Sequence, residues 1–136
     1  MAAHRINLLL ALAGWAVVAI LLFPRLLPDP PSPVPVAGTI FFQGQPLRAG
    51  TIVLTSDPDR DDRELSAHAQ LRPDGTFELH REQGPGVLPG WYRVTIFGVD
   101  GSGRGTPERY RDPARSGLLC QIAPGGPITL DFHLRP

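Results

Sequence analysis

Lysine is absent from this chain of 136 residues, and all thirteen basic residues are arginine. Thirteen acidic residues offset them, so the formal net charge is zero. Such a balance gives no general electrostatic pull toward nucleic acid or anionic lipid, and a nucleic-acid partner is not expected. Arg48, Arg60, Arg63, Arg72, Arg81, Arg93 and Arg104 lie scattered among the acids instead of forming a basic patch. The preference for arginine therefore reads as genome composition and not as phosphate binding. Cysteine is nearly absent as well. The solitary Cys120 excludes an internal disulfide and a cysteine-built zinc site. Stability must come from a packed core, which a segment of about 100 residues can supply.

Charge is also missing from residues 6–23, INLLLALAGWAVVAILLF, between Arg5 and Arg25. Eighteen residues rising about 1.5 Å each make roughly 27 Å of helix, close to the hydrocarbon thickness of a bilayer. The run exceeds the apolar region of a typical signal peptide and is followed by FPRLLPDPPSP, without a small-x-small cleavage pattern. Residues 1–27 are thus expected to be a signal-anchor, a single transmembrane helix. Secretion after cleavage is the alternative. Arg5, His4 and the terminal amine favour a cytoplasmic N-terminus, with the remaining chain extracytoplasmic. Residues 28–35, PDPPSPVP, carry five prolines in eight positions. They forbid a helix and predict an extended polyproline stalk.

Residues 36–136 contain no helical pattern. Glycine and proline punctuate them about every eight to twelve residues, with short alternating runs between, the pattern of an all-β sandwich. Seven runs predict seven strands: VAGTIFFQ, TIVLT, ELSAHAQLR, TFELH, WYRVTIF, GLLCQI and PITLDFHL. Their inward residues include Val36, Ile40, Phe42, Ile52, Leu54, Phe77, Leu79, Tyr92, Val94 and Ile96. Leu118, Cys120 and Ile122 alternate inward, as do Ile128, Leu130, Phe132 and Leu134. These faces suffice for a two-sheet core. Pro73-Asp74-Gly75 reads as a type I turn with Gly at the positive-φ position.

The order of motifs resembles carboxypeptidase regulatory-like, transthyretin-like domains. GTIFFQGQPLRAGTIVL resembles their opening strand, G-x-P-L turn and second strand. LRPDGTFEL resembles their DG-x-F step, and LPGWYRVTI their PG-x-Y-x-V strand. The tail PERYRDPARSGLLCQIAPGGPITLDFHL resembles a small envelope-attached version of planctomycete type. The resemblance spans residues 36–136 and implies a prealbumin-like sandwich without assigned biochemistry. Many such proteins resemble lipoproteins. Here no cysteine follows the apolar run, which leaves a helix as the expected attachment.

Candidate sites divide by chemistry. Transthyretin-like hydrolases of the urate pathway end in a Tyr-Arg-Gly-Ser-type tail, whereas this chain ends HLRP. Intradiol dioxygenases hold iron with two Tyr and two His. Here His68, His80 and His133 are far apart in sequence and Tyr92 alternates inward. If Pro73-Asp74-Gly75 closes a hairpin, Arg72 pairs with Thr76, Gln70 with Glu78 and His68 with His80. His68, His80 and Glu78 are then candidate metal ligands, but two solvated histidines are the expected reading, since sites usually need three or four ligands. The resemblance also counts against the pair, because in transthyretin-like folds the strands flanking this turn usually belong to different sheets. No metal or other cofactor is expected. SDPDRDDRE, residues 56–64, has alternate carboxylates suggestive of a calcium loop. It lacks the turn glycine and is interrupted by Arg60 and Arg63, so a solvated connector is expected. Cys120 is expected to be buried and inert. Phe41, Trp91 and Phe97 point outward as a candidate aromatic surface for a glycan or protein partner, although scattered exposed aromatics are ordinary and are the expected reading.

The segment PERYRDPARSGL, residues 107–118, places Arg109, Tyr110, Arg111 and Arg115 in one long connection. It is expected to clamp its own domain, with Tyr110 laid on the sandwich edge and Arg111–Asp112 or Arg115–Asp112 pairs neutralising it. A ligand-binding arginine cluster is the competing reading. The leading functional expectation is a membrane-anchored extracytoplasmic binding or structural module that contacts an envelope protein or glycan. A small metal-dependent or hydrolytic enzyme is the alternative, for which no nucleophile, base and orienting group can be read together.

Overall fold

The computed structural model describes residues 28–136. The expected N-terminal helix and anchor lie outside the described residues. Among those described, no helix is long and apolar enough to cross a membrane. The described chain is all-β, with ten strands in two sheets.

Alternation of apolar and polar residues sets which face each strand buries. The first sheet is built on β1 (Val36–Phe42), which runs parallel to β10 (Ile128–Leu134). The other edge of β1 is shared by β5 (Thr76–Glu78) and the two-residue β2 (Gln45–Pro46), both antiparallel to it. The second sheet is antiparallel throughout. Its order is β7 (Gly84–Pro85), β6 (His80–Arg81), β4 (Ser66–Gln70), β3 (Ala49–Ser56), β8 (Gly90–Val99) and β9 (Leu119–Ile122).

The buried core draws Val36, Ile40, Phe77 and Leu134 from the first sheet and Ile52, Leu54, Tyr92, Val94, Ile96 and Ile122 from the second. Phe42, Leu118, Ile128, Leu130 and Phe132 also turn toward this core but are only half-buried. For the last three the cause is position, because among the described residues β10 is an edge strand with no neighbour beyond it. Gly38 is fixed by space. A methyl group there would run into the Leu130 carbonyl and the Phe77 ring.

All seven expected runs form strands, but TFELH does not form one strand. It divides at Leu79, with β5 in the first sheet and β6 in the second. Leu79 makes the crossing possible. Its N–H donates to the Val36 carbonyl at 2.9 Å, while its own carbonyl accepts from Gly86 N at 3.2 Å. Its side chain is buried in the core between.

The expected stalk is shortened in the same way. Val34 and Val87 exchange backbone hydrogen bonds of 2.8 and 2.9 Å, and both are buried. The flanking Pro33 and Pro35 have no N–H to pair, yet Val34 between them keeps both of its backbone groups for Val87. Pro31–Pro136 form one compact unit, so the domain begins before residue 36.

Candidate functional site

The long connection after β8 is anchored at both ends. At its start Thr106 is buried, and its N–H donates to the Gly98 carbonyl at 3.0 Å. A 3-10 turn, Glu108–Arg111, follows Pro107 and drives Tyr110 inward until only 5% of it is exposed. The Tyr110 hydroxyl donates to the Arg135 carbonyl at 3.1 Å and accepts from Arg135 N at 2.9 Å. Arg109 completes the clasp. Its Nη2 donates to the Arg135 carbonyl at 2.7 Å, to the Pro136 backbone oxygen at 3.2 Å and to the Tyr110 hydroxyl at 3.0 Å. The same guanidinium lies 4.6 Å from the Tyr110 ring centroid, within cation–π range.

The arginine cluster is therefore divided. Arg109 is turned onto its own domain, whereas Arg111 and Arg115 are exposed. The expected pairs from Arg111 or Arg115 to Asp112 do not form. Asp112 instead accepts from Ala114 N at 2.9 Å, a local side-chain turn that wins because its acceptor is only two residues from the donor.

The aromatic surface is likewise dispersed. Phe41 belongs to the first sheet, where it stacks on His133 with centroids 4.9 Å apart. Trp91 and Phe97 belong to β8 in the second sheet, and six residues of strand separate them by roughly 20 Å. Arg60 covers the Trp91 ring at 5.4 Å, while Phe97 is 44% exposed. The three rings do not form a shared platform, because alternation along single strands says nothing about which sheet each strand joins.

The acidic connector is more structured than its composition implies. Asp57 is fully buried (0% exposed) and accepts from Arg60 Nη1 at 2.7 Å, Arg93 Nε at 3.0 Å and Asp59 N at 3.2 Å. Arg93 Nη2 also reaches Asp59 at 2.9 Å. Asp61 binds Arg63 through two bonds of 2.9 and 2.7 Å, and Arg63 continues to the Pro89 carbonyl at 2.9 Å. The Arg60 hydrogen bond holds the Asp57 carboxyl below its usual range. The Arg63 hydrogen bonds lower Asp61 to about 2. Asp57, Asp59 and Asp61 thus serve arginines, and the arginines that interrupt the calcium-like pattern are its partners. Cys120 is buried between the sheets, where burial pushes its thiol up to about 11.

His68 and His80 face each other directly across β4 and β6. Both are exposed, and their ring centroids are 4.3 Å apart with planes at 74°. Arg72 N donates to the Thr76 carbonyl at 2.9 Å, as the hairpin register requires. The expected pairing of Gln70 with Glu78 is replaced by Glu78 with Ala37, because β5 has crossed to the first sheet. Glu78 lies 3.3 Å from Arg72 as an exposed ion pair. Among the described residues no group of three or more His, Cys, Asp or Glu is placed to hold a metal ion.

Three turns converge around a groove of about 670 Å³, which no single sequence run had indicated. The first turn, at Gln43 and Gly44, has φ of 52° and 80°, the two successive positive values of a tight hairpin joining β1 to β2. The second contains Pro73 and Asp74, and the third Asp100, Gly101 and Ser102. Asp74 accepts from Thr76 N and its hydroxyl at 3.1 and 2.6 Å. Asp100 accepts from Ser102 N, the Ser102 hydroxyl and Arg104 N at 2.8, 2.7 and 2.9 Å. Both carboxylates thus brace their own turns. Arg48, in contrast, is exposed and makes no ion pair among the described residues. Phe42, Gln43, Gln45 and Pro46 complete the wall.

No family model matches the chain, and no curated protein sequence does. Among solved structures it is similar to the dioxygenase domain of a dioxygenase–carbohydrate-binding protein fusion from the cellulolytic bacterium Streptomyces sp. SirexAA-E. That match has 21% identity, covers 78% of this chain and 81% of the other, and has a TM-score of 0.37.

Proposed function

We propose that the chain is an extracytoplasmic binding module of the cell envelope, held at the cytoplasmic membrane by residues 1–27 and carrying a transthyretin-like sandwich of the carboxypeptidase regulatory-like type. The uncharged run at residues 6–23 supports the anchor, and the order of the strand and turn motifs supports the family. The observation that carries the binding reading is the groove built on three braced turns. Loops positioned by a rigid scaffold are a favoured place for recognition. In this groove Arg48, without an ion pair among the described residues, lies with two glutamines and Phe42. That lining suits a polar, acceptor-rich ligand such as a glycan or an extended peptide of an envelope protein.

The reading is tested by solubilising native membranes and quantifying co-purifying envelope components with full-length wild type and Arg48→Ala. Expected is at least one component retained by wild type and lost from Arg48→Ala, at equal folding by circular dichroism. Equal recovery of every component by both proteins would overturn it.

A further inference from the structure

We propose that His68 and His80 form a two-histidine site for a divalent transition-metal ion of the copper, nickel and zinc class on the outer face of the second sheet. Neither histidine lines the groove, and their pairing starts from the crossing at Leu79. A continuous β5–β6 strand could slide along β4, but Leu79 is tied to Val36 on one side and Gly86 on the other. That double tie fixes the short β6, and the register it fixes sets His80 against His68. Directly opposed residues of an antiparallel pair hold their Cβ atoms about 4.5–5.5 Å apart. The backbone thus brings the two imidazoles together before any ion arrives.

The two rings already touch, edge to face, within the reach of one shared ion. With metal–nitrogen bonds of about 2.0–2.1 Å, two imidazoles meeting one ion hold their centroids roughly 4.5 Å apart at a right angle and about 5.2 Å apart at a tetrahedral one. From the observed 4.3 Å, edge to face, the rings must turn their nitrogens toward a common point and part by roughly 0.2 Å for a right angle or about 0.9 Å for a tetrahedral one. Both rings are exposed, so the adjustment is a side-chain rotation and not a repacking of the core.

Ligand type selects the ion. Imidazole suits copper, nickel and zinc, with affinity rising toward copper, whereas calcium and magnesium prefer oxygen ligands. Glu78 does not complete the set, since it faces Arg72. Two protein nitrogens leave the remaining positions to water or to a donor atom on a second molecule, so the bound ion is exchangeable. Because ligation needs neutral imidazoles, protons compete with it and binding weakens as pH falls.

The test uses the full-length protein without an affinity tag, carrying His4→Ala so that the remaining three of the chain's four histidines are those of the sandwich. Zinc chloride is titrated against histidine-selective NMR signals, with calcium and magnesium chloride as controls. His133, already stacked on Phe41, serves as the internal reference. Expected are saturable shifts of His68 and His80 together, little change at His133, and no response to calcium or magnesium. His68→Ala and His80→Ala, checked for unchanged melting without metal, should each lower zinc affinity by at least about tenfold, or about 1.4 kcal/mol. Copper(II) electron paramagnetic resonance should report two imidazole nitrogens in the His4→Ala protein and one in either further variant. Two solvated histidines would instead give shifts no larger than at His133, affinities unchanged by either substitution, or a one-nitrogen copper spectrum. Any of these overturns the proposal.

Discussion

Tyr110→Phe removes one oxygen from the clasp that holds residues 107–118 to their own domain. That oxygen accepts from Arg135 N and Arg109 Nη2 and donates to the Arg135 carbonyl. The ring remains buried, so the hydrophobic contribution is kept. What is lost is the hydroxyl's bonding, together with the partner left behind, a change expected to cost about 1–3 kcal/mol. Arg109 still reaches the Arg135 carbonyl at 2.7 Å in the variant, so the lower half of that range, about 1–2 kcal/mol, is expected. In a domain of about 100 residues this lowers the melting temperature by roughly 4–8 °C per kcal/mol. Denaturant unfolding of the full-length protein measures the loss, and amide hydrogen exchange locates it. Exchange should accelerate at residues 107–118 and at Arg135 more than in β3 or β8. Arg109→Ala should weaken the same region, whereas Arg111→Ala, altering an exposed side chain, should leave stability within about 0.5 kcal/mol. A Tyr110→Phe protein as stable as wild type, with unchanged exchange in the loop, would refute the clamp.

Two further perturbations test the frame. Asp57 and Asp61 have carboxyls held below their usual range by arginine hydrogen bonds, so they stabilise the fold above the unfolded carboxylate range. Their contribution should be lost as pH falls, for Asp61 between about pH 4 and pH 2. Acid titration of wild type, Asp57→Asn and Asp61→Asn should show shallower loss in the variants, and parallel curves would contradict the assignment. Gly38→Ala forces a methyl group against the Leu130 carbonyl. Overpacking of this kind costs about 1–3 kcal/mol or more, so a thermal melt equal to wild type would show that the two strands do not approach as described.

Strand faces were legible because they depend on a period of two. Ile52, Leu54, Val94 and Ile96 alternate inward whichever neighbours they acquire. Partnership was not legible on the same grounds. TFELH reads as one strand because Phe77 and Leu79 share a face, and nothing local marks Leu79 as the crossing between sheets. His80 still meets His68, since the turn at Pro73-Asp74-Gly75 and the return through Leu79 preserve the hairpin's residue offset. Proline content disguised Val34, because a polyproline-like segment can also pair through the one residue that retains its N–H. The buried role of Asp57 was hidden among exposed acids. Its alternation with arginine was the usable signal, because a carboxylate buried beside Arg60 and Arg93 needs just such partners. The groove could not be read locally at all, being assembled from turns at residues 43–48, 73–74 and 100–102.

The most direct measurement is photo-crosslinking of the full-length protein in its native membranes. Absence of lysine limits amine-reactive reagents, so a photoreactive side chain is placed in turn at Gln45 in the groove, Arg115 in the clasped loop and Thr129 on the outer face of β10. A binding module that recognises its ligand through the groove should give a discrete adduct from Gln45, lost with Arg48→Ala, and none of that adduct from Arg115 or Thr129. The same adduct from Arg115 with none from Gln45 would return recognition to the arginine loop, and no discrete adduct from any position would contradict the binding function itself.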